Sequence, residues 1–247
     1  MAIRNVLIAL TSAAVMATAA GCGRSSTSNA NTSSTATAMT SPAAAAQSAC
    51  AEIGGTVDPD QTCHLHSAMP TYTLDFRFPV DYPDQQALND ALKEKRDGFV
   101  NWVAKSVPRS FPYELDIVGT AYHSGTPASG TQCLALDMGS DTGIHAVTTY
   151  KALNYDLGKH AAITFDTLFK PGTQPLEVLN PIVQRQLDKH GGAGALSLND
   201  LGVKAYQNFA ITDDAVTFFF NQDGLLPHED GPLQVEVPRT ALASLLA

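Results

Sequence analysis

Serine, histidine and acidic side chains are numerous enough to build a hydrolytic triad, which is recognised by geometry and not by chain order. The nucleophile candidates are Ser124 and Ser129, in the loop Tyr122-His123-Ser124-Gly125-Thr126-Pro127-Ala128-Ser129-Gly130. An exposed nucleophile of the elbow type needs G-x-S-x-G, and the chain contains none. Ser, Gly and Pro are also the residues of an ordinary surface turn, and that reading is preferred. His64 and His66 would share one face of a strand beside Cys63, a donor set that suits zinc only if the thiol is reduced. The other histidines, His123, His145, His160, His190 and His228, show no H-E-x-x-H spacing. Gly191-Gly192-Ala193-Gly194 lacks the Lys-Ser/Thr of a phosphate loop and follows a helical stretch instead of opening one. Asp213-Asp214 and Glu229-Asp230 are pairs of adjacent acids in turns, where neighbouring carboxylates diverge into solvent. Cys133 lies mid-strand between Gln132 and Leu134, where a thiol behaves as a small buried hydrophobe. The expectation is therefore no catalytic residue, no metal site and no cofactor.

The modification chemistry is at the N-terminus. Arg4 precedes the apolar run Val6 to Leu10, which decays into small residues by Ala20, the layout of an export signal over residues 1–21. Ala19-Ala20-Gly21-Cys22 resembles a bacterial lipobox, in which the Cys22 thiol takes a diacylglycerol and becomes the mature N-terminus; Ala19 stands where that motif usually has Leu. Ala17-Thr18-Ala19 instead fits an ordinary A-x-A site that would release a soluble chain. Lipidation at Cys22 is adopted, because the chain has only four cysteines and this one follows Ala-Gly at the end of the signal. Residues 22–49 are rich in Ser, Thr and Ala and cannot bury enough apolar surface to order themselves, so they form a tether. Its 27 residues after Cys22 would span roughly 26 to 31 Å as a flexible coil.

The remaining residues, 50–247, carry 13 bases against 24 acids and read as a single domain. Such a surface repels nucleic acid and anionic headgroups, so membrane association needs an anchor or a local patch. Export places Cys50 and Cys63 in an oxidising compartment, and a disulfide between them closes a loop of about 14 residues, worth about 3 kcal/mol on the chain-entropy account.

Several elements must position these residues. Tyr72, Leu74, Phe76 and Phe78 alternate with polar neighbours, as in a half-buried strand. A long helix near 83–107 follows, with Pro83 in its first turn and Leu88, Leu92, Phe99 and Val103 along one stripe. Strands are expected at Tyr113–Tyr122, Gln132–Met138 and, after a turn at Gly139–Gly143, Ile144–Asp156. Ile163–Phe169 combines a short strand with a helical turn. A second helical region near 175–190 carries Leu176, Leu179, Val183 and Leu187, kinked or restarted at Pro181. Asn208–Ile211 and Val216–Phe220 form a hairpin; alternation puts Phe218 and Phe220 on its core side and leaves only Phe219 to explain, so core packing is preferred to a lipid-facing patch of Phe218-Phe219-Phe220. Leu233–Val237 is the last strand, before a short C-terminal helix. Helices and strands mix without βαβ alternation, so the class is α+β with a mixed or antiparallel sheet.

Ordered blocks spread over residues 50–247 carry a resemblance. They include Tyr82-Pro83-Asp84-Gln85, Pro112-Tyr113-Glu114-Leu115, Thr148-Thr149-Tyr150-Lys151, Ile163-Thr164-Phe165-Asp166-Thr167-Leu168, Ala205 to Asp214, Phe218 to Asn221 and Val237-Pro238-Arg239. Together they resemble the mycobacterial secreted immunogenic protein family, and the C-terminal part is similar to the lysozyme-binding ectodomain of RsiV-type anti-sigma factors. The resemblance implies a β-grasp-like element, a disulfide at Cys50 and Cys63, and an exported antigen without an agreed catalytic motif. The resulting expectation is a monomeric, non-enzymatic binding module on the outer face of the cytoplasmic membrane, held through Cys22, with an envelope or host protein, glycan or lipid as partner. The alternatives are a secreted chain, a weak serine esterase and a lysozyme-binding protein.

Overall fold

Strand β3, Tyr72–Pro79, buries Leu74, Phe76 and Phe78 on one face and turns Asp75 and Arg77 outward. It is the centre from which the larger sheet grows. The computed structural model describes residues 50–143, 145–189, 202–222, 224–225 and 231–247, all within the compact unit Thr40–Ala247. Cys22, the signal, the tether, Gly191 to Gly194, His190, His228 and Glu229-Asp230 lie outside the described residues.

Seven strands form one mixed sheet in the order in which they occur in the chain. They are β1 (Thr56–Val57), β2 (Thr62–Ala68), β3, β4 (Tyr113–Ser124), β5 (Thr131–Asp141), β6 (Ala146–Asp156) and β7 (Ala161–Ala162). All neighbours are antiparallel except β3 and β4, which run parallel because helix α1, Gln85–Val103, makes the crossover between them. The Asp84 side chain accepts from the Ala87 N–H at 3.0 Å and caps this helix, so Pro83 precedes the cap and is not in the first turn. Leu88, Leu92, Phe99 and Val103 press on Phe76, Phe78, Leu115 and Leu136 to make the first core. Burying a side chain of that size contributes about 1.5–3 kcal/mol each.

A second sheet, β8 (Phe209–Ile211), β9 (Ala215–Phe220) and β10 (Leu233–Pro238), is ordered β10-β9-β8. Its outer face packs on α2 (Phe165–Leu168), α3 (Leu176–Lys189) and α4 (Arg239–Leu242), where Leu179, Val183 and Leu187 meet Phe218, Phe220 and Val235. Its inner face joins the larger sheet through Ala210 and Phe219 against Cys133, Ala135 and Tyr150. The class is therefore α+β with a large mixed sheet, a smaller second sheet and helices on the outside.

Two further expectations are corrected, at Pro181 and at Gly139. Helix α3 runs unbroken through Pro181, which is exposed, so water can take the hydrogen bond that the ring removes. Strand β5 continues through Gly139 and Ser140 to Asp141, because Gly139 pairs with both Asp116 and Thr148. Phe219 is as buried as its neighbours, since β9 is covered on both faces, and it lies 5.2 Å from the Tyr150 ring and 5.9 Å from Tyr122.

Candidate functional site

Helix α1 lies over the middle strands and covers the helix-side face of β6 only in part, at Leu153 and Thr149. Between them runs an open groove of about 520 Å³. The helix contributes Ala91, Lys95, Gly98 and Trp102, spaced i, i+4, i+7 and i+11, a stripe beside the one that builds the core. Strands β5 and β6 contribute Met138, Ser140 and Lys151, and buried Phe99 forms part of the wall. Trp102 is 42% exposed and meets Tyr113 edge to face at 5.0 Å. Gly98 leaves space open: a Cβ built there would find no atom within 4 Å. Glu94 and Lys151 add one exposed charge of each sign.

Lys95 is the polar centre of the groove. Its ammonium donates to Thr149 Oγ1 at 3.2 Å, and that hydroxyl donates in turn to the Met138 carbonyl at 3.4 Å. Burial holds the Lys95 pKa below the usual lysine range, because the charged form loses water on the apolar side of the helix. Among the described residues no carboxylate pairs with it. Two of its three donors therefore face the groove or solvent. The direction of these bonds bears on chemistry. With Lys95 charged, the Thr149 hydroxyl accepts from it and turns its own proton to the Met138 carbonyl, so the ammonium presents its remaining donors to a ligand.

The residues singled out in the sequence lie elsewhere and are not brought together. Ser124 is buried and shares a 2.7 Å hydrogen bond with Thr131, while Ser129 pairs with Thr126 at 2.9 Å within the same turn. Asp213 accepts from the Gly125 N–H at 2.7 Å and ties that turn to the β8–β9 hairpin. Cys133 is fully buried, its Sγ 3.6 Å from the Phe209 carbonyl, and burial pushes its pKa far up. Cys50 and Cys63 are joined, with Cα atoms 5.7 Å apart, so Cys63 offers no thiolate to a metal. His66 Nδ1 lies 3.2 Å from Asp75 and His64 Nε2 3.7 Å from it, with Arg77 on the same carboxylate at 3.3 Å. These side chains make a polar cluster on the outward face of β2 and β3. The groove itself was missed by sequence reasoning. Its signal was the second stripe on α1, with a lysine and a glycine at positions next to the core.

Two packed sheets flanked by helices, with one sheet face left partly open, define an α+β domain that also occurs in a DUF3298 family protein from Pseudomonas aeruginosa. That crystal structure aligns with a TM-score of 0.55 at 15% identity, over 77% of this chain and 96% of that one, and shows the fold alone. Residues 166–240 match the family described as "Protein of unknown function (DUF3298)". Esterase Rv3036c of Mycobacterium tuberculosis is 49% identical over 203 residues, covering 81% of this chain and 89% of that protein. Immunogenic protein MPT64 of Mycobacterium tuberculosis and immunogenic protein MPB64 of Mycobacterium bovis are each 42% identical over 206 residues, covering 82% of this chain and 90% of theirs. The chain belongs to the family of these immunogenic proteins.

Proposed function

We propose that the chain is an exported, monomeric envelope protein, anchored through a lipid on Cys22, whose folded unit acts as a non-enzymatic binding module with the α1–β6 groove as its site. The observation that carries this reading is the half-buried Lys95, without an acidic partner among the described residues, in an open groove lined by Phe99, Trp102 and Met138. Ligand sites are concave, mostly apolar and equipped with few polar groups. Crosslinking on intact cells tests it: the wild-type chain captures an envelope component that a Gly98→Leu chain, whose groove is filled, does not. Equal capture by both rejects the groove. Globomycin treatment with intact-mass measurement tests the anchor, and a mature chain beginning at Ala20 without acyl mass rejects it.

The second reading is a weak envelope esterase, favoured by the 49% identical relative, which is named an esterase, and by a lysine in contact with a hydroxyl. Hydrolysis of p-nitrophenyl esters by the purified chain that is lost in Thr149→Val, or in Ser124→Ala or Ser129→Ala, would replace the binding module with this reading. Lysozyme retained on the chain at moderate salt, where purely electrostatic contacts are screened, would make lysozyme the partner.

A further inference from the structure

We propose that the groove takes an amphipathic monocarboxylate, its carboxylate on Lys95 and its apolar body along Phe99, Trp102 and Met138. This rests on the groove being the binding site and names the class of ligand. Three observations support it. The first is charge. Residues 50–247 carry 24 acids and 13 bases, yet the groove holds Lys95 and Lys151 against a single exposed acid, Glu94. A small anion is therefore drawn to this spot although the surface around it is acidic. The second is donor geometry. Lys95 has one hydrogen bond to Thr149 and none to a carboxylate among the described residues, and burial lowers its pKa. An incoming carboxylate supplies the missing charge-assisted bond. With Glu94 offsetting one of the two lysines the groove keeps a single net positive charge, and the absence of an arginine fork among the lining residues favours a carboxylate over a doubly charged phosphate.

The third observation is the apolar length of the groove. Gly98 interrupts the helix face between Lys95 and Trp102 with nothing within 4 Å of the position a Cβ would occupy. The apolar body can therefore lie close to the helix backbone and run on towards Trp102. At about 520 Å³ the space is in the ordinary range for a small-molecule site.

Trp102 is the chain's one tryptophan and lies in the groove, so its fluorescence reports occupancy directly. The full chain carrying Cys22→Ala, which needs no detergent, is titrated below micelle-forming concentrations with decanoate, dodecanoate, dodecanol and dodecyl phosphate. The expected result is a saturable change in Trp102 emission, with dodecanoate at least about tenfold tighter than dodecanol, the worth of one charge-assisted bond. Decanoate binds more weakly by about fourfold per methylene removed. Lys95→Met brings dodecanoate down to the dodecanol level and leaves dodecanol unchanged, while Gly98→Leu, still folded by circular dichroism, abolishes both. Equal affinity for acid and alcohol, dodecanoate binding untouched by Lys95→Met, or tighter binding of dodecyl phosphate overturns the carboxylate assignment. If no probe binds but Gly98→Leu still loses the crosslinked envelope component, the ligand class fails and the groove stands. If Gly98→Leu changes neither measurement, both fail.

Discussion

Gly98→Ala will stabilise the protein. Position 98 lies well inside the helix Gln85–Val103, where glycine is roughly 0.5–1 kcal/mol worse than alanine because it gives up more backbone freedom on folding. A new methyl group there meets nothing within 4 Å and the site is exposed, so neither a clash nor a gain in packing offsets that term. The net effect is about 0.5–1 kcal/mol. For a folded unit of this size that corresponds to a rise in Tm of about 1–4 °C, read by far-UV circular dichroism on both chains under identical conditions. Gly98→Leu should be at least as stable, since leucine is nearly as good a helix former and its side chain covers part of Phe99 and Met138. A fall in Tm for the alanine variant would refute the reasoning, because it would mean that the methyl group meets something and that the groove floor is closed.

Reducing the Cys50–Cys63 bridge, or replacing both residues by Ala, should cost about 3 kcal/mol and lower Tm by about 6–12 °C in the same melt; an unchanged Tm would show the loop to be held by other contacts. Gly55→Ala should also destabilise, because its Cβ would stand 2.8 Å from the Cys63 sulfur and 2.9 Å from that of Cys50. Cys133 should resist iodoacetamide at pH 8 in the folded chain and react after denaturation, as mass spectrometry can show; labelling of the native state at the rate of a free thiol would contradict its burial. Asp137→Asn should stabilise at neutral pH. Burial raises the Asp137 pKa above its unfolded value, so the folded chain binds the proton more tightly and loses stability as pH rises through that raised pKa. The advantage of asparagine should therefore fade below the ordinary carboxylate range, and a pH-independent difference in urea midpoints would refute the burial of that charge.

The elements that the sequence discloses are those with a single buried face. In β3 and β10 every second residue is apolar, and α1 repeats Leu88, Leu92, Phe99 and Val103, so period alone locates them. Strand β9 escapes that logic: Phe218, Phe219 and Phe220 are all buried because the strand lies between two layers, and period-2 reasoning has no place for the middle one. Pro181 misled for a different reason, since the cost of proline in a helix depends on whether the freed carbonyl reaches water, and exposure is a tertiary property. The second stripe on α1 could not disclose the groove by itself, because Lys95 and Thr149 are 54 residues apart and only the parallel return from β3 through α1 to β4, followed by the β5–β6 hairpin, brings them within hydrogen-bond reach. On the helix alone nothing in the sequence sets Lys95 apart from its basic neighbours Lys93 and Arg96.

That lysine also links the binding reading to stability. A half-buried ammonium with no acidic partner among the described residues is a cost to the empty fold, as its lowered pKa records. Lys95→Met should therefore leave the empty chain as stable as the wild type or more so, while removing its response to carboxylate. Wild-type protein should gain about 2.7 kcal/mol at a ligand concentration of one hundred times Kd, because only the folded state carries the groove. The two results together separate a functional charge from a structural one: a lysine kept for packing would lose stability on replacement and would confer no gain on adding ligand. A melting series of both chains with and without dodecanoate decides between them, and a destabilised, ligand-indifferent Lys95→Met chain together with a ligand-indifferent wild type would assign Lys95 to the scaffold.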